Sequence, residues 1–214
     1  MINTILFDFD GTLLDSRDGL VYAAYRTIQH FEADTIPFSD VQYHYGTDFS
    51  SIFARMDCSL EDAWNFFINE KSLTYHHHQL FPYVKEGLAI FKNQGIRLGI
   101  VSNQLKDLVM LSLKVHNMED MFDVIVTRND VMEVKPSPIP IFQAINKLNM
   151  LSEQVIMVGD TNVDMLSASQ AYVKSILFKF YEETSYITKN PTHGTFFNFH
   201  EFVESFCPGG KIAI

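Results

Sequence analysis

The sequence predicts an α/β fold: a Rossmann-like parallel sheet core carrying an inserted all-helical domain. Three observations lead there. Short apolar runs rich in β-formers recur along the chain, amphipathic helical patterns separate them, and one long stretch near the N-terminus is helical throughout. Strands alternating with helices imply a parallel sheet covered on both faces.

The first run, Thr-Ile-Leu-Phe-Asp-Phe at 4–9, is closed by Asp-Gly and reads as a buried strand. Residues 16–80 then break the alternation with amphipathic helices over 17–32, 39–45, 48–56 and 60–75, and no strand is assigned among them. Phe81-Pro82 marks the return to the sheet, because the residue before a proline resists the helical conformation. Further strands are expected at 96–101, 124–127, 154–158 and 175–178, with helices over 84–93, 106–116 and 138–148. The core therefore comprises residues 1–15 and 81–214, and the helical cap residues 16–80. Beyond Phe180 only the aromatic segment 196–206 carries a pattern, that of a last helix packed on the sheet.

A chain of 214 residues accommodates a main domain with a smaller insert. A hydrophobic fraction of 47% with 20% charged residues suits a globular fold with a proper core. The net charge of −10 argues against nucleic acid or an anionic membrane surface as partner. An anionic substrate would need a local attraction, from a metal or a few placed cations. Cys58 and Cys207, far apart in sequence, read as free thiols of a reducing compartment. With no signal peptide pattern and no run approaching roughly 18 apolar residues, a cytoplasmic location is expected.

Ligands of open parallel sheets bind beyond the carboxyl ends of the strands. The residues that follow each apolar run should converge there: Asp8 and Asp10, Ser102-Asn103, Gly159-Asp160 with Asp164, and Lys135 in the loop after the third run. Asp8 and Asp10 share a face where the strand ends, and Gly11 permits a tight turn in which Thr12 can hydrogen-bond locally. An ordinary strand-end turn would use the same residues. A calcium loop would need a flanking helix and glycine at its sixth position, whereas here glycine is fourth and a strand precedes. Asp160 and Asp164 at a helix start share a face, and capping by Asp160 is the structural alternative. Four carboxylates at one sheet edge are costly unless a cation neutralises them, and an all-oxygen site suits Mg²⁺. Ser102 and Lys135 can hold phosphate oxygens. His76-His77-His78 is an unpromising metal site because adjacent residues point apart, and reads as a polar end to the last cap helix. Trp64, Phe66 and Phe67 read as cap core, with an aromatic wall facing substrate as the alternative.

Taken together, Asp-Phe-Asp-Gly-Thr-Leu-Leu-Asp (8–15), Val-Ser-Asn (101–103), Val-Lys-Pro-Ser-Pro (134–138) and Gly-Asp-Thr-Asn-Val-Asp (159–164) resemble the haloacid dehalogenase-like hydrolase superfamily. The helical insert resembles the cap of its phosphoglycolate phosphatase-like branch. The resemblance implies a Mg²⁺-dependent phosphatase acting on a small phosphorylated metabolite. Asp8 would be the nucleophile that forms an aspartyl-phosphate, and Asp10 the acid and base. Ser102, Asn103 and Lys135 would bind the phosphoryl group. Asp8, the main-chain carbonyl of Asp10, and Asp160 would ligate Mg²⁺, with Asp164 supporting the metal or Lys135. A phosphomutase of the β-phosphoglucomutase type could use the same residues, and a non-catalytic phosphate-sensing protein is the third reading. Dehalogenation is disfavoured, since dehalogenases lack an acid at the position of Asp10. Thr47 and Phe49, in a loop expected to close over the site, and Arg55, about two turns along the next helix, are the candidate specificity residues. Two positions depart from the family pattern: Tyr83 and Tyr172 stand where members commonly carry glycine, and Tyr172 is expected to pack behind the metal motif.

Overall fold

The structure is a computed structural model that describes residues 2–32, 37–43, 49–181 and 192–206. In chain order, β1 (Thr4–Phe7) is followed by a short β2 (Leu14–Asp15) and then by α1 (Arg17–Phe31), α2 (Phe38–Tyr43), α3 (Ser50–Phe53) and α4 (Leu60–Thr74). The short β3 (Gln79–Leu80) leads back to the sheet, where α5 (Val84–Asn93), β4 (Arg97–Val101), α6 (Lys106–Val115), β5 (Val124–Val126) and α7 (Ile139–Leu148) alternate. They are followed by β6 (Val155–Gly159), α8 (Asn162–Gln170), β7 (Lys174–Phe178), β8 (Gly194–Phe196) and α9 (Phe199–Phe206).

Six strands form one parallel sheet in the order β5-β4-β1-β6-β7-β8. β1 lies between β4 and β6, with Ile5 opposite both Leu98 and Ile156. Because side chains alternate along a strand, each strand supplies both faces. Ile5, Phe7, Ile100 and Val158 pack with Leu88 and Phe91 of α5, Val109 of α6 and Phe202 of α9. Leu6, Val126 and Met157 pack with Ile141 and Ile145 of α7 and Ala168 of α8. Burial on both faces explains why these strands read as unbroken apolar runs. The order also places β1 and its Asp8 at the centre of the sheet, beside the ends of β4 and β6. Among the described residues, no helix is long and apolar enough to cross a membrane.

The helices α1 to α4 have their own core, in which Val21, Ala24 and Ile28 meet Phe53, Ala63 and Phe67. This layer joins the sheet through the antiparallel β2–β3 ribbon, with Leu14 opposite Leu80. The ribbon and β8 are strands that the sequence reading does not assign. Two-residue strands are too short for any periodicity to register. β8 is a three-residue edge strand, only partly buried, so it lacks the apolar run of its neighbours. The last helix begins at Phe199, so Phe196 lies on β8 instead.

Tyr83 and Tyr172 both adopt left-handed backbone, at φ 68° and 56°. At Tyr172 the cause is the end of α8. Val173 N–H donates to the Ala168 carbonyl (2.9 Å) and Tyr172 N–H to the Ser169 carbonyl (3.1 Å), a Schellman turn whose penultimate residue must be left-handed. The expectation that Tyr172 packs behind the metal motif is incorrect: it is 85% exposed. Its ring therefore offsets little of the backbone strain. Tyr172→Gly should stabilise the fold by about 0.5–1 kcal/mol, the left-handed penalty less the entropy of a freer unfolded chain. A higher denaturant midpoint at unchanged slope would bear this out, and a lower one would refute it. Tyr83, whose ring packs against His200 at 4.6 Å, should gain less from the same change.

Candidate active site

β1 ends at Phe7, and Asp8 N–H still donates to the Val158 carbonyl (2.8 Å), fixing the carboxylate at the sheet's centre. The chain then turns tightly: Gly11, at φ 79°, donates from its N–H to the Leu14 carbonyl (2.8 Å). The Thr12 N–H bonds locally, to the Phe9 carbonyl (3.4 Å), while its hydroxyl crosses to Asp160 Oδ1 at 3.1 Å.

Lys135 Nζ lies 2.7 Å from Asp8 Oδ1 and 2.6 Å from Asp164 Oδ1, with all three side chains nearly inaccessible. Two devices hold this arrangement. Asn103 Nδ2 donates to the Lys135 carbonyl (2.8 Å) while Lys135 N–H donates to Asn103 Oδ1 (2.9 Å), so the Asn103 amide is engaged with the main chain of the lysine loop. Asn103 thus positions Lys135, and it also lines the cavity in which a phosphate contact is expected of it. At the start of α8, Thr161 Oγ1 donates to Asp164 Oδ2 (2.6 Å), so one oxygen of Asp164 caps the helix and the other meets the lysine. The cap comes from Thr161 and Asp164, not from Asp160. Gly159 makes the approach possible, since a Cβ there would fall 2.5 Å from the Asp164 side chain.

Asp8, Asp160 and Asp164 each bring a carboxylate oxygen within 4.8 Å of the others. Burial, then the charge of Asp164, push Asp8 up to about 7 against the pull of Lys135. Burial and the Asp8 charge raise Asp160 well above the usual carboxylate range. Burial would lower Lys135, but Asp164 and Asp8 outweigh it and hold the lysine above its ordinary value. When all three ionise, three carboxylates against one ammonium leave two negative charges uncompensated, the charge of a divalent cation. An all-oxygen cluster fits a hard ion of that kind.

The Asp10 carboxylate turns away from this cluster. Its Oδ1 accepts from the Tyr75 hydroxyl (2.9 Å) and its Oδ2 from Gln104 Nε2 (2.7 Å). Gln104 is oriented in turn: its Oε1 accepts from Lys71 Nζ (2.8 Å) and from Leu105 N–H (2.9 Å). Ser102 Oγ accepts from Gln104 N–H (3.1 Å), which leaves its hydroxyl proton for a ligand. Asp8, Asp10, Lys71, Ser102, Asn103, Gln104, Lys135 and Asp164 line a cavity of about 500 Å³ between sheet and cap, closed by Leu20, Phe49, Trp64 and Phe67 of the cap.

Lys71, Tyr75, Gln104 and Arg128 are site residues that the sequence reading missed. A signal existed for two of them: Ala63, Phe67, Lys71 and Tyr75 recur every fourth residue, so a lysine and a tyrosine continue the buried stripe of α4. Of the candidate specificity residues, Phe49 lines the cavity, and Thr47 lies outside the described residues. Arg55 does not line the cavity. The reason is that α3 ends at Phe53, and in the following turn Phe53 and Met56 are buried while Arg55 is exposed. Trp64 and Phe67 serve both as cap core and as cavity wall, whereas Phe66 stacks on His30 at 4.1 Å. His77 is exposed and His78 sits beside the Tyr75 ring. Cys58 is a free thiol, and Cys207 lies outside the described residues.

Comparison with known proteins agrees with this geometry. The chain is 31% identical over 178 residues to Pyrophosphatase PpaX of Bacillus pumilus, covering 81% of this chain and 82% of that protein. The namesake from Bacillus mycoides is 30% identical over 180 residues, covering 82% of each. Among solved structures, a protein from Bacteroides fragilis described as a haloacid dehalogenase-like hydrolase superposes with a TM-score of 0.82 at 27% identity, covering 91% of this chain and 96% of that one. CbbY from Rhodobacter sphaeroides, in complex with phosphate, shares the fold at a TM-score of 0.79 and 22% identity, covering 94% and 96%. The sequence profile of the haloacid dehalogenase-like hydrolases matches residues 5–178, and the chain belongs to that family.

Proposed function

We propose that the protein is a Mg²⁺-dependent phosphatase that removes phosphate from a small phosphorylated metabolite through an aspartyl-phosphate. The observation that carries this reading is the division of labour between two neighbouring carboxylates. Asp8 sits against Lys135 in the buried cluster, and Asp10 is held apart by two neutral donors at the cavity.

In the first step an Asp8 oxygen attacks phosphorus, and the leaving oxygen departs with a proton from Asp10. In the second, Asp10 takes a proton from water, whose oxygen attacks phosphorus and regenerates the Asp8 carboxylate. Lys135 neutralises charge on the phosphoryl oxygens, and the Ser102 hydroxyl donates to one of them. Bound Mg²⁺, held by Asp8, Asp160 and the Asp10 main-chain carbonyl, would supply the remaining charge neutralisation that phosphoryl transfer requires. Asp164 acts at one remove by fixing Lys135. A cytoplasmic setting, with no nucleic acid or membrane partner, belongs to the same proposal.

The direct test is phosphate release from a broad panel of phosphorylated metabolites with Mg²⁺. Inorganic pyrophosphate belongs in the panel because the PpaX relatives carry the name pyrophosphatase. Release from no compound would overturn the reading.

Metal binding should also appear in stability. The folded-state value of Asp8, about 7, lies above its ordinary 3.8, so the metal-free fold is favoured at low pH and loses that stability as pH rises from about 4 through 7. Mg²⁺ reverses the loss by stabilising the ionised cluster. At a hundredfold excess over its dissociation constant it should add about 2.7 kcal/mol, an effect larger at pH 7 than at pH 5. Melting curves with Mg²⁺ and with chelator at the two pH values measure this. A Mg²⁺ effect absent at pH 7 would place the metal elsewhere.

A further inference from the structure

The cavity holds two cations that the chemistry above does not use. Lys71 comes from the buried face of α4 and is only 8% exposed, yet it takes part in no ion pair among the described residues. Its ammonium has three donors, and the contacts found are one hydrogen bond to Gln104 Oε1 and the face of Phe67 at 5.3 Å. Glu70, its neighbour on α4, is paired with Arg26 instead. Arg128 opens the turn after β5, where its N–H donates to the Gln104 carbonyl (3.2 Å), and it lines the same cavity. The carboxylate nearest in sequence, Asp130, is engaged by Thr127 and Lys106, and Arg128 likewise forms no ion pair among the described residues. Burial lowers Lys71 to about 8, the Asp10 carboxylate opposes this, and the charge of Arg128 lowers it further.

A buried ammonium with no carboxylate in contact among the described residues is costly, the distant Asp10 charge offsets only part of that cost, and the charge of Arg128 adds to it. A ligand anion would remove both penalties at once. On the phosphatase reading, the reacting phosphoryl group occupies the Asp8–Lys135 end of the cavity. Lys71 lies beyond Asp10, two hydrogen bonds away through Gln104.

We infer that Lys71 and Arg128 form a second anion site, so that the preferred substrate carries a second phosphate or carboxylate besides the phosphoryl group to be removed. One cation comes from the cap and the other from the sheet domain, so a ligand bridging them also ties the cap to the core. A neutral leaving group would leave the two charges uncompensated and bind more weakly. The placement differs from the specificity expected of Arg55, which lies outside the cavity.

The test uses equilibrium binding of non-hydrolysable ligands to the Mg²⁺-loaded protein, so it does not depend on turnover. Trimethylene bisphosphonate and phosphonopropionate each add a second anion to propylphosphonate. One charge-assisted contact corresponds to roughly a 10- to 100-fold gain in affinity, and at least that preference for one of the two dianions is expected. Which dianion gains more identifies the second group as phosphate or carboxylate. Arg128→Gln, at an exposed position, should reduce the preference at least about tenfold, and Arg128→Lys should restore part of it. Lys71→Met should reduce it as well. Equal affinity for all three ligands, or a preference that survives both Arg128→Gln and Lys71→Met, would overturn the inference. Failure of the phosphatase reading would look different: the dianion preference would stand while no compound releases phosphate.

Discussion

Asp8→Asn is expected to abolish phosphate release, by roughly 10⁴-fold or more, the scale on which removal of a covalent nucleophile acts. An amide presents no anionic oxygen to phosphorus, so the first bond cannot form. The environment of Asp8 makes a second, opposite effect equally specific. Its charge is disfavoured in the folded state by burial and by Asp164, and the ion pair with Lys135 compensates only in part. Asparagine keeps the shape and removes that charge, while Lys135 retains Asp164 as its partner. Without metal the variant should therefore melt at a higher temperature than the wild type at pH 7, even though it is inactive. A labelled phosphoryl group should stay on denatured wild-type protein caught during turnover and be absent from the variant. Retention of more than a few percent of the wild-type rate would end the covalent mechanism. A fall in both activity and melting temperature would mean that Asp8 acts through folding.

The residues joined in that cluster lie far apart in sequence, yet they were legible because a parallel sheet imposes their meeting. Asp8, Ser102 and Asp160 each follow an apolar run, and β4, β1 and β6 are adjacent in register. Knowledge of strand ends alone was enough to bring them together. Lys135 was harder, since it lies in a loop well past β5, and what fixes it is the reciprocal bonding to Asn103. The wiring around Asp10 was not legible. It depends on how α4 docks against the sheet domain, and a helix's apolar stripe states that it docks but not on what. The stripe Ala63, Phe67, Lys71, Tyr75 does show two polar residues in the buried register. Such residues need partners, which is the part of the signal that went unread. Arg55 failed for a local reason, as α3 is a single turn of four residues and placement by helical rise beyond Phe53 has no basis. Tyr83 and Tyr172 show the converse case. The turn geometry is kept although the residue best suited to it is missing, so the fold there is set by hydrogen bonds at the helix end and by packing on either side.

Asp10→Asn should slow turnover of an alkyl phosphate by roughly 10²–10⁴, the usual worth of a positioned general acid and base. The fold should tolerate it, because the surroundings can accept an amide in one orientation. Gln104 Oε1 is held by Lys71 Nζ and Leu105 N–H, so Gln104 Nε2 must point at residue 10 as a donor. Asparagine would therefore turn its oxygen towards Gln104 and its NH₂ towards Tyr75, whose hydroxyl can rotate from donor to acceptor. No clash arises; the Tyr75 O–H gives up its acceptor at a modest cost, and what is lost for catalysis is the transferable proton. The two half-reactions should then separate. With an aryl phosphate, whose leaving group departs without protonation, the variant should release about one equivalent of phenol per site in a rapid burst. A slow phase should follow, because no base activates water against the phosphoenzyme. An alkyl phosphate should show no burst at all. Tyr75→Phe offers a finer comparison, as it removes only one donor from Asp10 and should cost far less than Asp10→Asn on either substrate. An undiminished rate for Asp10→Asn on the alkyl phosphate would take the acid–base role away from Asp10. A missing burst on the aryl phosphate would instead place its main contribution in the attack of Asp8.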